Sequence, residues 1–389
     1  MRPLRIAVVG AGIAGLVAAR ALQLQGFRVR VFEQATKLGE VGAGLTVSPN
    51  ATHVLQAIGL GPTLEQWGLQ PAIGGVKHWQ TGALMVTLNR GAEMLQKYGA
   101  PYYQMHRADL HTALAEAVHA ADPEAIQLGH RFSGLRENAG SVEIEFADGL
   151  RATADALIGA DGLRSAVRTH VFGADQPRFT GYVAFRGLVP VAALPQARLE
   201  PSSCISTGPD RSFTRYLIRR GEVVNFVALA QRDGWQEEGW SIRSSASELL
   251  GEYAGWYEEV RTIIRATPAD GLFKWALFDR DPLPQWNSGH VTLIGDAAHP
   301  MLPFLGQGAA MGIEDAMVLA RALAGADSLD RALQRYFEAR HPRTTWVMLK
   351  SRETAIRYHS GNSEEYQPGR HISAESLGIM AYNPAMVPV

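Results

Sequence analysis

Short continuous apolar runs alternate along this chain with stretches of helical and of two-residue period, and the alternation marks out its elements. Residues 4–9 form a β-rich apolar run, Leu16, Ala19 and Leu22 recur at helical spacing within 13–25, and residues 28–33 are strand-like again. This order predicts strand, helix and strand, the start of a parallel sheet. Ser48-Pro49 offers a capping hydroxyl and a proline suited to a first helical turn, so a helix is expected to about residue 58, stopped by Gly59. Residues 75–80, 83–88 and 102–106 read as strands and 107–120 as a helix. An antiparallel meander follows, in which 141–146 alternates, Asp148-Gly149 turns and 154–159 is apolar. Strand patterning returns over 179–231, turning at Arg220-Gly221. Helical spacing covers 246–265, a short strand 290–294, and helices 309–323 and 328–359.

Buried α/β segments and antiparallel strands thus alternate, which predicts an α/β protein: a discontinuous Rossmann-like nucleotide-binding domain with an inserted, mostly antiparallel sheet. The expected division is 1–74, 100–178 and 274–325 for the nucleotide domain, 75–99 and 179–273 for the inserted domain, and 326–389 for a C-terminal helical segment. At 389 residues the chain exceeds what one core usually organises. Hydrophobic residues make up 46% and charged residues 19%, which excludes disordered and collagen-like classes. A net charge of -1 leaves no basic excess for nucleic acid. The single cysteine, Cys204, excludes an intramolecular disulfide and suits a reducing compartment, so a cytoplasmic location is expected. Arg2 and Arg5 before an apolar run loosely resemble a secretion signal, but the fixed glycine spacing inside that run argues for a fold element instead. No other stretch is long and apolar enough to span a bilayer, and no membrane partner is expected.

The candidate chemistry begins with Gly10-Ala11-Gly12-Ile13-Ala14-Gly15, between a strand and a helix. Its first glycine suits a tight turn, its second lets a pyrophosphate approach the backbone, and its third lets helix and strand pack closely. Glu33, 18 residues beyond Gly15, ends the second strand, where a carboxylate can bind both hydroxyls of an adenosine ribose. This much points to a dinucleotide and leaves FAD and NAD open. Two further apolar strands end in an acid beside glycine, at Gly159-Ala160-Asp161-Gly162 and at Gly295-Asp296-Ala297-Ala298-His299-Pro300. A helix-capping role for either aspartate is the simpler alternative. Gly306-Gln307-Gly308 then opens a helix whose bare N–H groups favour a negative charge, as on the pyrimidine edge of a reduced flavin.

With Tyr182-Val183-Ala184-Phe185-Arg186-Gly187 in the inserted sheet, these motifs resemble, in order and over nearly the whole chain, the single-component flavoprotein aromatic hydroxylases, the class of salicylate, 3-hydroxybenzoate and 6-hydroxynicotinate hydroxylases. The resemblance implies noncovalent FAD, contacted by Gly10, Gly12, Ala14, Gly15, Glu33, Gln34, Arg107, Asp161, Asp296, Gly306, Gly308 and Ala309. Asp296 is similar to the aspartate that holds the ribityl chain or pyrophosphate, and Arg107 to an arginine reaching FAD from a helix start rather than a solvated first-turn residue. Only one dinucleotide fingerprint is present, so NADH or NADPH is expected to bind transiently, with the glycine-rich loop 39–44 as the place past which the flavin ring moves. The implied reaction is NAD(P)H- and O2-dependent hydroxylation of a phenolic or hydroxypyridine carboxylate through a flavin hydroperoxide, with or without decarboxylation. A flavin oxidase, dehydrogenase or epoxidase, or a FAD-binding interaction module, is the alternative.

Phenol activation requires a group that favours the phenolate. Arg186 and Tyr216 are the catalytic candidates, against the alternatives of a surface arginine and a packed core tyrosine. Thr46 and Ser212 stand where relatives often carry histidine, so an imidazole relay is not expected. Cys204 reads as an apolar filler or a pocket-facing thiol, and His299 as a hydrogen-bonded loop residue rather than a metal ligand. A monomer or homodimer is expected.

Overall fold

The computed structural model describes residues 4–39, 43–232, 242–359 and 372–389. Its central sheet has six strands in the order Asn287–Ser288, Val291–Leu293, Ala156–Gly159, Arg5–Val9, Arg28–Glu33 and Ile126–Leu128. All neighbours are parallel except the first pair. Parallel strands need crossover connections, and the helix Ile13–Leu24 supplies the first. It packs against the helices Gly308–Gly325 and Arg107–Ala121, so Val8, Leu16, Leu157 and Val318 lose all contact with water. Each such side chain contributes about 1.5–3 kcal/mol of burial free energy. A three-stranded antiparallel sheet, Phe132–Asn138, Ser141–Phe146 and Arg151–Ala154, joins this core through Phe146, whose ring lies 4.5 Å from that of Phe32.

The second large sheet has eight strands, in the order Ile242–Arg243, Leu272–Asp279, Arg178–Pro190, Val223–Gln231, Arg211–Ile218, Ser203–Gly208, Ile73–His78 and Leu84–Asn89. The strand Leu272–Asp279, which straddles residue 274, is part of this sheet. Side chains alternate between its faces. One face carries Val183, Phe185, Phe213 and Phe226, covered by the helices Ala246–Glu252 and Glu258–Arg265. The other carries Val76, Ala184 and Leu229, which meet Leu302, Phe304 and Ala355. This second face therefore looks at the turn that carries Leu302 and Phe304, beyond the last strand of the parallel sheet. A two-stranded ribbon, Gly44–Val47 with Tyr103–His106, lies in the same region. The helix Leu329–His359 packs on Gly308–Gly325.

The single helix expected over 246–265 is two helices, divided where Gly255 adopts φ +78° and where Tyr253 and Trp256 turn inward. Three seven-residue helices, Gly61–Trp67, Ala92–Tyr98 and Ala166–Phe172, were not anticipated. They are too short to show a hydrophobic period. Among the described residues no helix is long and apolar enough to cross a membrane.

Candidate active site

The glycine turn is built for contact on one side and space on the other. Gly10 has φ +107°, and a Cβ there would fall 2.4 Å from the Ala160 carbonyl oxygen. A Cβ at Gly15 would meet the Gly10 carbonyl at 2.0 Å. At Gly12, the residue before the helix, nothing lies within 4 Å of such a carbon, and no side chain caps the first turn. Bare helix N–H groups facing open space suit a pyrophosphate. Glu33 accepts from Ala11 N at 2.8 Å and Ala35 N at 2.9 Å. One bond to each oxygen fixes the carboxylate at the strand end and leaves lone pairs for ribose hydroxyls. Gln34 is exposed beside it.

Two strand ends bring the aspartates to the same edge of the sheet. Asp161 accepts from Ser165 Oγ and from Val167 N at 3.1 Å, so it caps the helix Ala166–Phe172. Burial raises its carboxyl, and those same bonds oppose the rise. Asp296 keeps an exposed surface yet is closely surrounded by protein. That crowding raises its carboxyl, with His299 and Arg107 opposing. Arg107 begins its helix and donates its backbone N–H to Ala43 at 2.8 Å. Gly306, with φ +62°, turns the chain into the helix Gly308–Gly325. A Cβ on Gly308 would have Met301 Cγ at 3.8 Å as its nearest neighbour, so this helix start also faces room. Ala14 and Ala309 are only half-buried at their helix starts.

Across the cleft, Arg186 lies beside Val227 and Phe273, and Tyr216 beside Asn225. Both face the turns, with the strand Val223–Gln231 between them. The Arg186 guanidinium stacks 5.3 Å from the Trp275 ring and 5.9 Å from Phe273, away from Tyr216. Gly44 N donates to Asn225 Oδ1 at 2.7 Å, and a Cβ on Gly44 would fall 2.6 Å from the Tyr216 ring and 2.9 Å from its hydroxyl. Burial holds the Tyr216 phenol well above its ordinary range. It is therefore a neutral hydroxyl, not a base. Thr46 Oγ donates to the Gly306 carbonyl at 3.4 Å, linking the ribbon to the helix-start turn. Ser212 is buried on the same face as Tyr216. Cys204, opposite Arg215, points to the helix-covered face, and burial pushes its thiol up. Of the loop 39–44, residues 40–42 lie outside the described residues.

Residues 4–351 match the family described as FAD binding domain. The chain belongs to that FAD-binding family. It is 41% identical to the 3-amino-4-hydroxybenzoate 2-monooxygenase PtmB3 of Streptomyces platensis, over 91% of this chain and 88% of that one. It is 36% identical to the 6-hydroxynicotinate 3-monooxygenase of Pseudomonas fluorescens, over 90% of each. The crystal structure of Klebsiella pneumoniae HpxO complexed with FAD and uric acid superposes with a TM-score of 0.86 at 27% identity, covering 97% of this chain and 95% of that one. This FAD-binding protein is thus an aromatic-ring monooxygenase, and the space at Gly12 and Gly308 fits the cofactor.

Sequence reasoning missed the residues that hold this flavoprotein's turns in place. His111 Nε2 contacts the Ala11 carbonyl at 2.7 Å, fixing the glycine turn. Its position one helical turn after Arg107 was the available signal. Arg168 is buried and donates to the Leu163 carbonyl at 2.9 Å and the Ala297 carbonyl at 3.0 Å, tying the Asp161 turn to the Asp296 turn. Nothing in its sequence context distinguishes it from a surface arginine.

Proposed function

We propose that this monooxygenase hydroxylates a benzene or pyridine ring that bears a hydroxyl and a carboxylate, with 3-amino-4-hydroxybenzoate the first compound to test. The observation that carries the reading is the cleft itself, which sets a neutral tyrosine hydroxyl and an arginine on a sheet face opposite the FAD-seating turns. The similarity to the Streptomyces enzyme over most of both chains supports the choice of substrate. In this reading NADH or NADPH reduces FAD in a transient encounter, O2 is the co-substrate, and the enzyme works in the cytoplasm. The stretches 1–74, 100–178 and 274–325 form the cofactor part, 75–99 and 179–273 the substrate part, and 326–389 a C-terminal helical support.

The bound flavin would supply reducing equivalents that activate oxygen. The protein's part is to place and polarise the ring. Tyr216 donates a hydrogen bond to the ring oxygen and so favours the phenolate form, whose ring is richer in electrons, while the tyrosine itself stays neutral. Arg186, a permanent cation, attracts the carboxylate from the Trp275 side of the face. Leu302, Phe304 and Val76 exclude water from the space between. Asp296, Glu33, Arg107 and the N-termini at Gly12 and Gly308 hold the cofactor, with Gly10, Ala14, Gly15, Gln34, Asp161, Gly306 and Ala309 shaping its seat.

The test is turnover of a panel of aminohydroxybenzoates, hydroxybenzoates and hydroxynicotinates with NADH and NADPH, scored by product mass. The expected result is a ring product with one added oxygen, or that product less carbon dioxide. Nicotinamide oxidation that yields only hydrogen peroxide with every compound would overturn the reading in favour of an oxidase.

A further inference from the structure

Behind the Asp296 turn lies a fully buried charged cluster that the proposed reaction does not use. Asp315 Oδ2 accepts from Gly295 N at 2.9 Å and contacts His299 Nε2, while its Oδ1 accepts from Arg340 Nε at 2.7 Å. These contacts grip both ends of the turn that presents Asp296. Arg340, from the C-terminal helix, is wholly buried and also pairs with Glu314. Glu314 accepts from Asn50 Nδ2 at 2.6 Å, Asn50 Nδ2 reaches Gln307 Oε1 at 3.1 Å, and Gln307 Nε2 donates to Ser48 Oγ at 3.1 Å. Two consecutive acids on one helix therefore serve the two cofactor turns separately, Asp315 the first and Glu314 the second. Burial alone would raise the Asp315 carboxyl, but His299 and Arg340 draw it down to about 2, so it is ionised.

We propose that Asp315 is a positioning residue for the cofactor seat: its carboxylate, locked by Arg340, fixes the Gly295–His299 turn so that Asp296 meets FAD in the geometry that binds it. The inference rests on the reading that Asp296 contacts FAD. A carboxylate can accept from Gly295, His299 and Arg340 at once, whereas an amide has one oxygen and no charge to hold Arg340. An apolar pair of similar volume would fill the space and leave the turn unheld.

The experiment titrates FAD into the apoprotein of the wild type, Asp315→Asn, Asp296→Ala and Arg215→Met, following flavin fluorescence, and records the unfolding temperature of each apoprotein. Arg215→Met is the control, because it breaks the pair of a buried arginine with the partly buried Glu259 on the helix-covered face of the eight-stranded sheet, away from Asp296. The expected result is that Asp315→Asn weakens FAD binding by about tenfold or more while Arg215→Met, at a similar loss of apoprotein stability, leaves it within about twofold. If both variants lose affinity alike, the cluster only supports the fold and the proposal fails. If Asp296→Ala binds FAD as the wild type does, the reading of Asp296 falls first. Should Asp315→Asn not fold, His299→Gln carries the test, because it leaves the Asp315–Arg340 pair intact. Weakening by about fivefold supports the proposal, and unchanged affinity overturns it.

Discussion

A phenol held far above its ordinary range by burial stays protonated at any working pH, so Tyr216 acts by sharing its proton rather than by giving it up. Tyr216→Phe should lower ring hydroxylation by about 10-fold to 10,000-fold, the span for a positioned acid or base. FAD content should stay normal. Rapid mixing, with ring product and peroxide measured separately, checks this, and unchanged coupling would reduce Tyr216 to packing. Gly44 makes a different demand at the same place, since any side chain there overlaps Tyr216 and Asn225. Gly44→Ala should cost about 1–3 kcal/mol of stability through overpacking and raise the KM for the ring substrate. Calorimetry and steady-state kinetics together test it, and an unaltered KM would detach Tyr216 from the substrate.

The helix starts separate room for a ligand from room for the fold. At Gly308 a Cβ meets nothing beyond its own helix and chain neighbours closer than Met301 Cγ at 3.8 Å, so Gly308→Val should shift the apoprotein's unfolding temperature little while FAD binding drops below detection in the same titration. An equal loss of both would mean that the glycine serves packing. Elements of this kind were legible in the sequence because each couples a hydrophobic period to a glycine with a stated duty: the first strand, helix and strand, and the strands ending at Gly159 and Leu293. The break at Gly255 was not legible, because Leu249, Val260 and Ile264 keep helical spacing on both sides of it. At the site, the residues proposed to face FAD rest on motif, whereas those that hold the turns lie outside the motifs. Arg168, Asp315 and Arg340 act through contacts between segments apart in sequence, such as the 129 residues from Arg168 to Ala297, and no local pattern encodes such pairings.

For the molecule as a whole, the buried charges set a limit on acid tolerance. Asp315 has its folded pKa drawn down to about 2, against an unfolded value of about 3.9. A depressed carboxylate contributes stability that is full above about pH 4 and is lost as pH falls toward 2, on the order of 2 kcal/mol. Acid unfolding of the wild type should therefore steepen in that window, and Asp315→Asn, though less stable at neutral pH, should show a shallower acid slope. A parallel acid profile in the two proteins would contradict this. The strand order has its own consequence for how the protein comes into being. Arg5–Val9 is completed on one side only by Ala156–Gly159, and that strand only by Val291–Leu293. On the ribosome, six strands of the eight-stranded sheet, from Arg178–Pro190 to Leu272–Asp279, thus emerge before the parallel sheet can close. Asp296, Gly308 and Arg340 arrive later still, so a nascent chain short of these residues lacks part of the proposed flavin seat.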